Sequence, residues 1–121
     1  MQENDKPVLV YSTFPSAEAA ETVGRELVEQ RLAACVNILP AMTSIYRWDD
    51  AITRDAEAVM LIKTRRSLAG RVMDAVKARH SYENPALLVL EVTDGAPDYL
   101  RWLLDGTVAP DSDTGGTDPC A

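Results

Sequence analysis

The sequence is poor in the residues from which most metal and catalytic sites are built. It holds one histidine, His80, and two cysteines, Cys35 and Cys120. The cysteines stand far apart, one in an apolar stretch and one near the end. This excludes a disulfide framework and a cysteine zinc site, which need more ligands at closer spacing. There is no Gly-rich phosphate loop, no His-Glu-x-x-His, no Gly-x-Ser-x-Gly and no close cysteine pair. The usual motifs of phosphoryl transfer, zinc proteolysis, serine hydrolysis and thiol redox chemistry are therefore missing, and the expectation is a protein that is not an enzyme. Basic charge is also short, since 12 Lys and Arg face 19 Asp and Glu, for a formal net charge of -7. An acidic chain without a basic stripe suits neither nucleic acid nor other phosphate backbones, and it weakly favours cations. No apolar run approaches the roughly 20 residues that cross a bilayer, so no membrane span is expected. The start, Met-Gln-Glu-Asn-Asp-Lys, lacks the basic and apolar order of a signal peptide. The expected localisation is cytoplasmic.

What is present is one domain's worth of core, with 46% hydrophobic residues in a chain of 121. Its organising feature is a long hairpin from Ala33 to Thr64. The first arm runs from Ala33 to Pro40 and on from Met42 to Trp48, and Asp49-Asp50-Ala51 forms the turn. Ile52 to Asp55 leads into the second arm, the apolar run Ala58 to Thr64. Pro40 has no N–H to give a neighbour, which puts the first arm at a sheet edge. A long edge carrying Ile45, Tyr46 and Trp48 is an aggregation hazard unless something covers it, and another subunit is the expected cover.

Around the hairpin, Pro7 to Thr13 reads as a buried strand. Ser16 is placed to cap a helix reaching about Leu32, with Ala20, Val23 and Leu27 on one face and Glu21, Arg25 and Glu29 at ion-pair spacing on another. Ser67 caps a second helix from Leu68 to about Arg79, and Ala86 to Val92 is a fourth strand. Pro97 opens a short helix that Gly106 closes as a C′ residue. The order β-α-β-β-α-β-α describes an α+β ferredoxin-like βαββαβ sandwich with an extended hairpin and a short C-terminal helix. Right-handed crossovers put the first and third strands at the centre. Residues 1–107 form the single domain, and 108–121 are expected to be a disordered acidic tail containing Asp111, Asp113, Asp118 and Cys120.

The stretches Ala33 to Pro40, Thr43 to Trp48, Leu61 to Thr64, His80-Ser81-Tyr82-Glu83-Asn84-Pro85 and Tyr99 to Leu103 closely resemble the CutA divalent-cation-tolerance family, in order, over roughly Val8 to Thr107. The resemblance implies a compact homotrimer of ferredoxin-like subunits, similar in architecture to PII signalling proteins, with a role in tolerance of copper and other divalent metals. In such a trimer the hairpin pairs with neighbouring subunits and the uncovered sheet faces pack around the three-fold axis, closing every edge. Three positions depart from the family's usual pattern. Ser81 stands for a proline, Asp50 for a glycine, and Ser12 for a cysteine proposed as a copper ligand in some bacterial members; serine is a poorer ligand for soft metal.

Each candidate site has a plain structural counterpart. His80, with Glu83 supplying an oxygen, is the candidate metal site; the alternative is a helix-end histidine bonding carbonyls. Two ligands are too few for tight zinc or copper binding unless another subunit adds more. Trp48, Glu57, Lys63 and Tyr82 resemble the wall of an intersubunit cleft, with Lys63 near Trp48 and Glu57 across the hairpin. That cleft would take an anionic or polar small molecule, while the alternative is an ion pair of Lys63 with Glu57 or Glu83. Trp48, Tyr46 and Trp102 also suit packing anchors. Cys35 is either a small buried hydrophobe or a metal or redox site. Three functions follow: a homotrimeric, non-enzymatic copper-binding and tolerance protein, a PII-like module holding a small molecule in its clefts, or a trimeric scaffold for protein anchoring.

Overall fold

A computed structural model of the chain describes residues 5–108. The expected tail falls outside them from residue 109 onward. Val108, counted with that tail above, packs against the core and gives its N–H to the Arg31 carbonyl.

Four strands form one antiparallel sheet in the order β2-β3-β1-β4. They are β1 (Pro7–Phe14), β2 (Cys35–Trp48), β3 (Ala51–Arg65) and β4 (Leu87–Glu91). The two most uniformly apolar strands are central, as the crossover rule requires. β3 is longer than its apolar run, because the polar stretch from Ile52 to Glu57 keeps pairing with β2 out to the turn. The rungs are Leu39↔Val59 and then Met42↔Glu57, so one extra residue sits on β2 at Pro40 and Ala41. This bulge is where the missing proline N–H would have broken the ladder. At the tip, Asp49 and Asp50 both have positive φ, 52° and 64°, the signature of the type I′ turn that matches strand twist.

Helices α1 (Ala17–Glu29) and α2 (Ala69–Arg79) cover one face of the sheet. Val8, Val10 and Phe14 of β1 meet Val23, Leu27, Val72 and Val76 there, all buried. Ser12 is fully buried on this same face, and its hydroxyl has no hydrogen-bond partner among the described residues. Ser16 caps α1 through Ala19 N–H, as expected. The helix ends three residues earlier than its apolar pattern suggests. Arg31 turns left-handed at φ 61°, Leu32 N–H reaches back to Leu27 O, and Arg31 N–H bonds Val28 O. This is a Schellman ending, and Leu32 belongs to it as the apolar residue that packs back on the helix. Arginine is a poor residue for that conformation. Arg31→Gly is therefore expected to raise stability by about 0.5–1 kcal/mol, read as a higher denaturation midpoint; a lowered midpoint would count against the strain.

Ser67 does not cap α2. A 3-10 turn, Arg66–Leu68, precedes the helix, and Ser67 gives both its N–H and its hydroxyl to the Asp5 carboxylate. The other sheet face carries Leu9, Tyr11, Val59, Leu61, Leu88 and Leu90 in register. Helix α3 (Pro97–Asp105) packs on β3 and β1 at one end of it. The rest of that face is open, with Leu39, Leu88 and Leu90 exposed. Gly106 closes α3 at an ordinary φ of −81°. Proximity favours glycine there, since a Cβ would make a tight contact of 3.0 Å with the Ala34 Cβ.

Candidate functional site

Alternation along the hairpin places Met42, Ser44, Tyr46 and Trp48 on the same side as their partners Glu57, Asp55, Thr53 and Ala51. Further down β3, Val59 continues that side, and its partner in β1 is Thr13. The loop after α2 swings over this surface. Between ribbon and loop lies a cleft of about 490 Å³, whose lining includes Thr13, Tyr46, Trp48, Asp55, Glu57, Tyr82 and Glu83.

The polar groups are tied in pairs. Glu57 accepts from the Ser44 hydroxyl at 2.6 Å through one oxygen and from the Tyr82 hydroxyl at 2.8 Å through the other. The Tyr46 hydroxyl donates to Asp55. Burial first, and then the bond to Glu57, push the Tyr82 hydroxyl up to about 12. The bond to Asp55 likewise holds Tyr46 above its usual value. Both tyrosines stay neutral donors, and the carboxylates supply the charge.

His80 holds the loop in place. Its Nδ1 accepts the Tyr82 N–H at 3.1 Å, and its Nε2 meets the Thr13 carbonyl at 2.6 Å. An acceptor at Nδ1 and a donor at Nε2 define the neutral Nε2–H tautomer. The ring also stacks on Phe14, with centroids 4.3 Å apart, and lies 4.7 Å from Tyr82. Both nitrogens therefore have partners already. Among the described residues no three His, Cys, Asp or Glu side chains converge as a metal site. His80 and Glu83 do not fit a tight copper or zinc centre within one chain; the geometry is that of the carbonyl-bonding helix-end histidine. Ser12 lies on the helix-covered face, away from the cleft.

Lys63 is not with Trp48 and Glu57. The two-residue turn fixes Trp48 opposite Ala51, and after the bulge Lys63 falls opposite Cys35. Its Nζ donates to the Tyr99 hydroxyl at 2.9 Å and lies over that ring, which raises the lysine above its ordinary value. Neither Glu57 nor Glu83 pairs with it in its own chain: the carboxylate of Glu57 is taken by Ser44 and Tyr82. Cys35 is a half-buried free thiol that donates to the Val36 carbonyl. Trp102 stacks on Tyr99 on the exposed side of α3. Thr13, Ser44 and Asp55 were not legible as site residues. The alternation that put Tyr46 and Trp48 on one side also held Ser44, and the turn count held Asp55.

A sequence profile of the CutA1 divalent ion tolerance protein family matches residues 8–106, nearly the whole described fold. The chain belongs to this family. Among its relatives, the divalent-cation tolerance protein CutA of Thermus thermophilus is 43% identical over 99 residues, covering 82% of this chain and 96% of that protein. The chloroplastic CutA protein of Arabidopsis thaliana is 39% identical over 110 residues, covering 88% of this chain but only 60% of its own length. The crystal structure of CutA1 from Ehrlichia chaffeensis superposes with a TM-score of 0.83 at 30% identity, covering 88% of this chain and all of that one. The Thermus thermophilus structure gives 0.81 at 42% identity, covering 84% and 99%. The ferredoxin-like architecture of this CutA1 family member is thus shared with solved structures over nearly their full length. The family is named for tolerance of divalent cations, and its name is not that of an enzyme family.

Proposed function

We propose that this chain is a homotrimeric, non-enzymatic protein of divalent-cation tolerance, working through the cleft beneath the His80 loop. The observation that carries the assembly is the unprotected apolar surface. Ile45, Trp48 and Ile52 are 68%, 68% and 66% exposed on the hairpin, and Leu39, Leu88 and Leu90 are exposed on the open sheet face. Surface of this kind on an edge ribbon and a sheet face calls for a partner, and a closed ring of identical chains removes every edge at once. Lys63, on the open face, then belongs to the wall that a neighbouring copy offers. Non-enzymatic action is supported by the family's name, which is that of a divalent ion tolerance protein and not of an enzyme. The PII-like reading, a small molecule held in the cleft, is favoured by the cleft's size and aromatic lining. A copper centre built on His80 and Glu83 has no such support, for the reasons of geometry given above.

Native mass spectrometry of the full chain during copper titration tests this. The expected result is a trimer whose copper uptake does not saturate and is unchanged in His80→Ala. A monomer overturns the assembly. Saturating, stoichiometric copper that disappears in His80→Ala and Glu83→Gln returns the site to those two residues.

A further inference from the structure

We propose that Asp94, in the loop between β4 and α3, is a site of spontaneous covalent modification, at which the Gly95 backbone nitrogen rearranges the chain to an isoaspartyl link. Asp-Gly occurs twice in the sequence, at Asp94-Gly95 and at Asp105-Gly106. Glycine leaves its own nitrogen unhindered, because it has no Cβ, and it lets the backbone turn freely. By sequence the two pairs are equivalent. Their surroundings in the fold are not.

Asp94 and Gly95 are both exposed, in the irregular stretch between β4 and α3. The Gly95 N–H donates not to a backbone carbonyl but to Oδ1 of Asp94, at 2.8 Å. The nitrogen is therefore held beside the carboxyl group it must attack, with nucleophile and electrophile already together. Its proton already points at an oxygen of that carboxyl. From the neutral carboxyl, the Gly95 nitrogen bonds to Asp94 Cγ and the Cγ–OH bond breaks. The amide proton leaves with that hydroxyl as water, and a cyclic succinimide remains. Water then opens the ring at either carbonyl. Attack at Cγ restores aspartate, and attack at the former main-chain carbonyl leaves Gly95 joined through Cγ. No atom is gained or lost overall, and nothing is oxidised or reduced. The isoaspartyl link adds a methylene to the main chain and frees an α-carboxylate, the group that an isoaspartyl carboxyl methyltransferase accepts. It does so beside Leu100 of α3, whose Cδ2 would lie 3.1 Å from a Cβ at Gly95.

The second pair is locked. Asp105 ends α3, and the Gly106 N–H is spent on the helix, with the Trp102 carbonyl at 3.0 Å and the Leu103 carbonyl at 3.3 Å. Turning that nitrogen onto the Asp105 carboxyl means breaking the end of the helix. Folding thus protects Asp105 and leaves Asp94 open.

The full chain is aged at neutral pH, both folded and in guanidinium chloride, and then cut with trypsin. No Lys or Arg lies between Arg79 and Arg101 or after Arg101, so Asp94 and Asp105 fall in separate peptides, 80–101 and 102–121. Each is read for a second peak of unchanged mass that takes a methyl group from S-adenosylmethionine on an isoaspartyl methyltransferase, and fragmentation places the link. In the folded chain Asp94 is expected to convert about tenfold faster than Asp105, the worth of the hydrogen bonding that holds Gly106. In guanidinium the two rates are expected to converge. Asp94→Glu, whose longer side chain closes a larger ring less readily, is expected to abolish the new form of 80–101. Four results would each overturn the proposal: no conversion of Asp94 in the folded chain, an Asp105 that converts as fast, a rate gap that persists in guanidinium, or a methyl acceptor that survives in peptide 80–101 of Asp94→Glu.

Discussion

Arg65→Ala is expected to remove about 3–5 kcal/mol of stability, the usual cost of breaking a buried ion pair from one side. The Arg65 and Asp5 side chains are only 9% and 6% exposed. The guanidinium holds three parts of the chain together. Nε donates to Thr107 Oγ1 at 2.7 Å, Nη1 to Asp5 Oδ2 at 3.3 Å, and Nη2 to the Leu104 carbonyl at the end of α3. Among the described residues, alanine leaves the Asp5 carboxylate with Ser67 as its remaining partner and the last turn of α3 without its anchor. Lysine should rescue little, because a single ammonium cannot span a planar three-way arrangement. Adding Asp5→Asn to Arg65→Ala should recover part of the loss by removing the stranded charge. Denaturant titration at fixed protein concentration decides the matter; a loss below about 1 kcal/mol would mean the network adds little beyond an exposed pair.

The same network sets an acid limit. Burial pushes the Asp5 carboxyl up, but the two Ser67 bonds and Arg65 outweigh it and hold the group below its ordinary value. Its folded form binds a proton less readily than its unfolded form. The stabilisation is therefore complete above the unfolded carboxylate range, near pH 4, and fades as pH falls through the lower folded value. Asp5→Asn should lose that part of the acid slope.

Gly24→Ala is expected to destabilise by about 2 kcal/mol, although the same change in an open helix is favourable. A Cβ at Gly24 would sit 2.8 Å from Val36 Cγ2 and 2.9 Å from Met60 Sδ. Val36 is β-branched and stiff at χ1, and Met60 is fully buried, so neither yields cheaply. Gly70 in α2 is the internal contrast, with nothing within 4 Å of its would-be Cβ. Gly70→Ala should stabilise by roughly 0.5–1 kcal/mol. Opposite signs in thermal melts of the two variants are the expected result. A stabilised Gly24→Ala would mean that α1 moves off β2 without penalty.

The architecture was legible because its signals are local. Apolar runs, the proline in the edge strand, Ser16 before its helix and Pro97 at the start of α3 each sit next to what they specify. The misplacement of Lys63 came from register. Counting back from a two-residue turn, with one bulge at Pro40, puts Lys63 opposite Cys35, and only that bulge was marked by a residue. Ser67 looked like a cap because Asp5, its actual partner, is distant in sequence. The tautomer of His80 was equally out of reach, since it depends on a strand carbonyl contributed by Thr13. The metal expectation at His80 counted ligands correctly as too few but had no means of seeing that both nitrogens were taken.

The left-handed pair at Asp49 and Asp50 also bears on the order in which the chain folds. Among the described residues, the hairpin it closes has the shortest loop of any strand pairing, whereas even the nearest rung of β1 with β3, Phe14 with Ala58, must bring together distant segments. Loop-closure entropy favours the local event, and hairpins of this kind form on the order of microseconds. The ribbon that later presents Trp48 and Tyr46 thus acts first as a template. β1 is then expected to add to a strand already straightened by its partner, and β4 to add last, once β1 offers an edge.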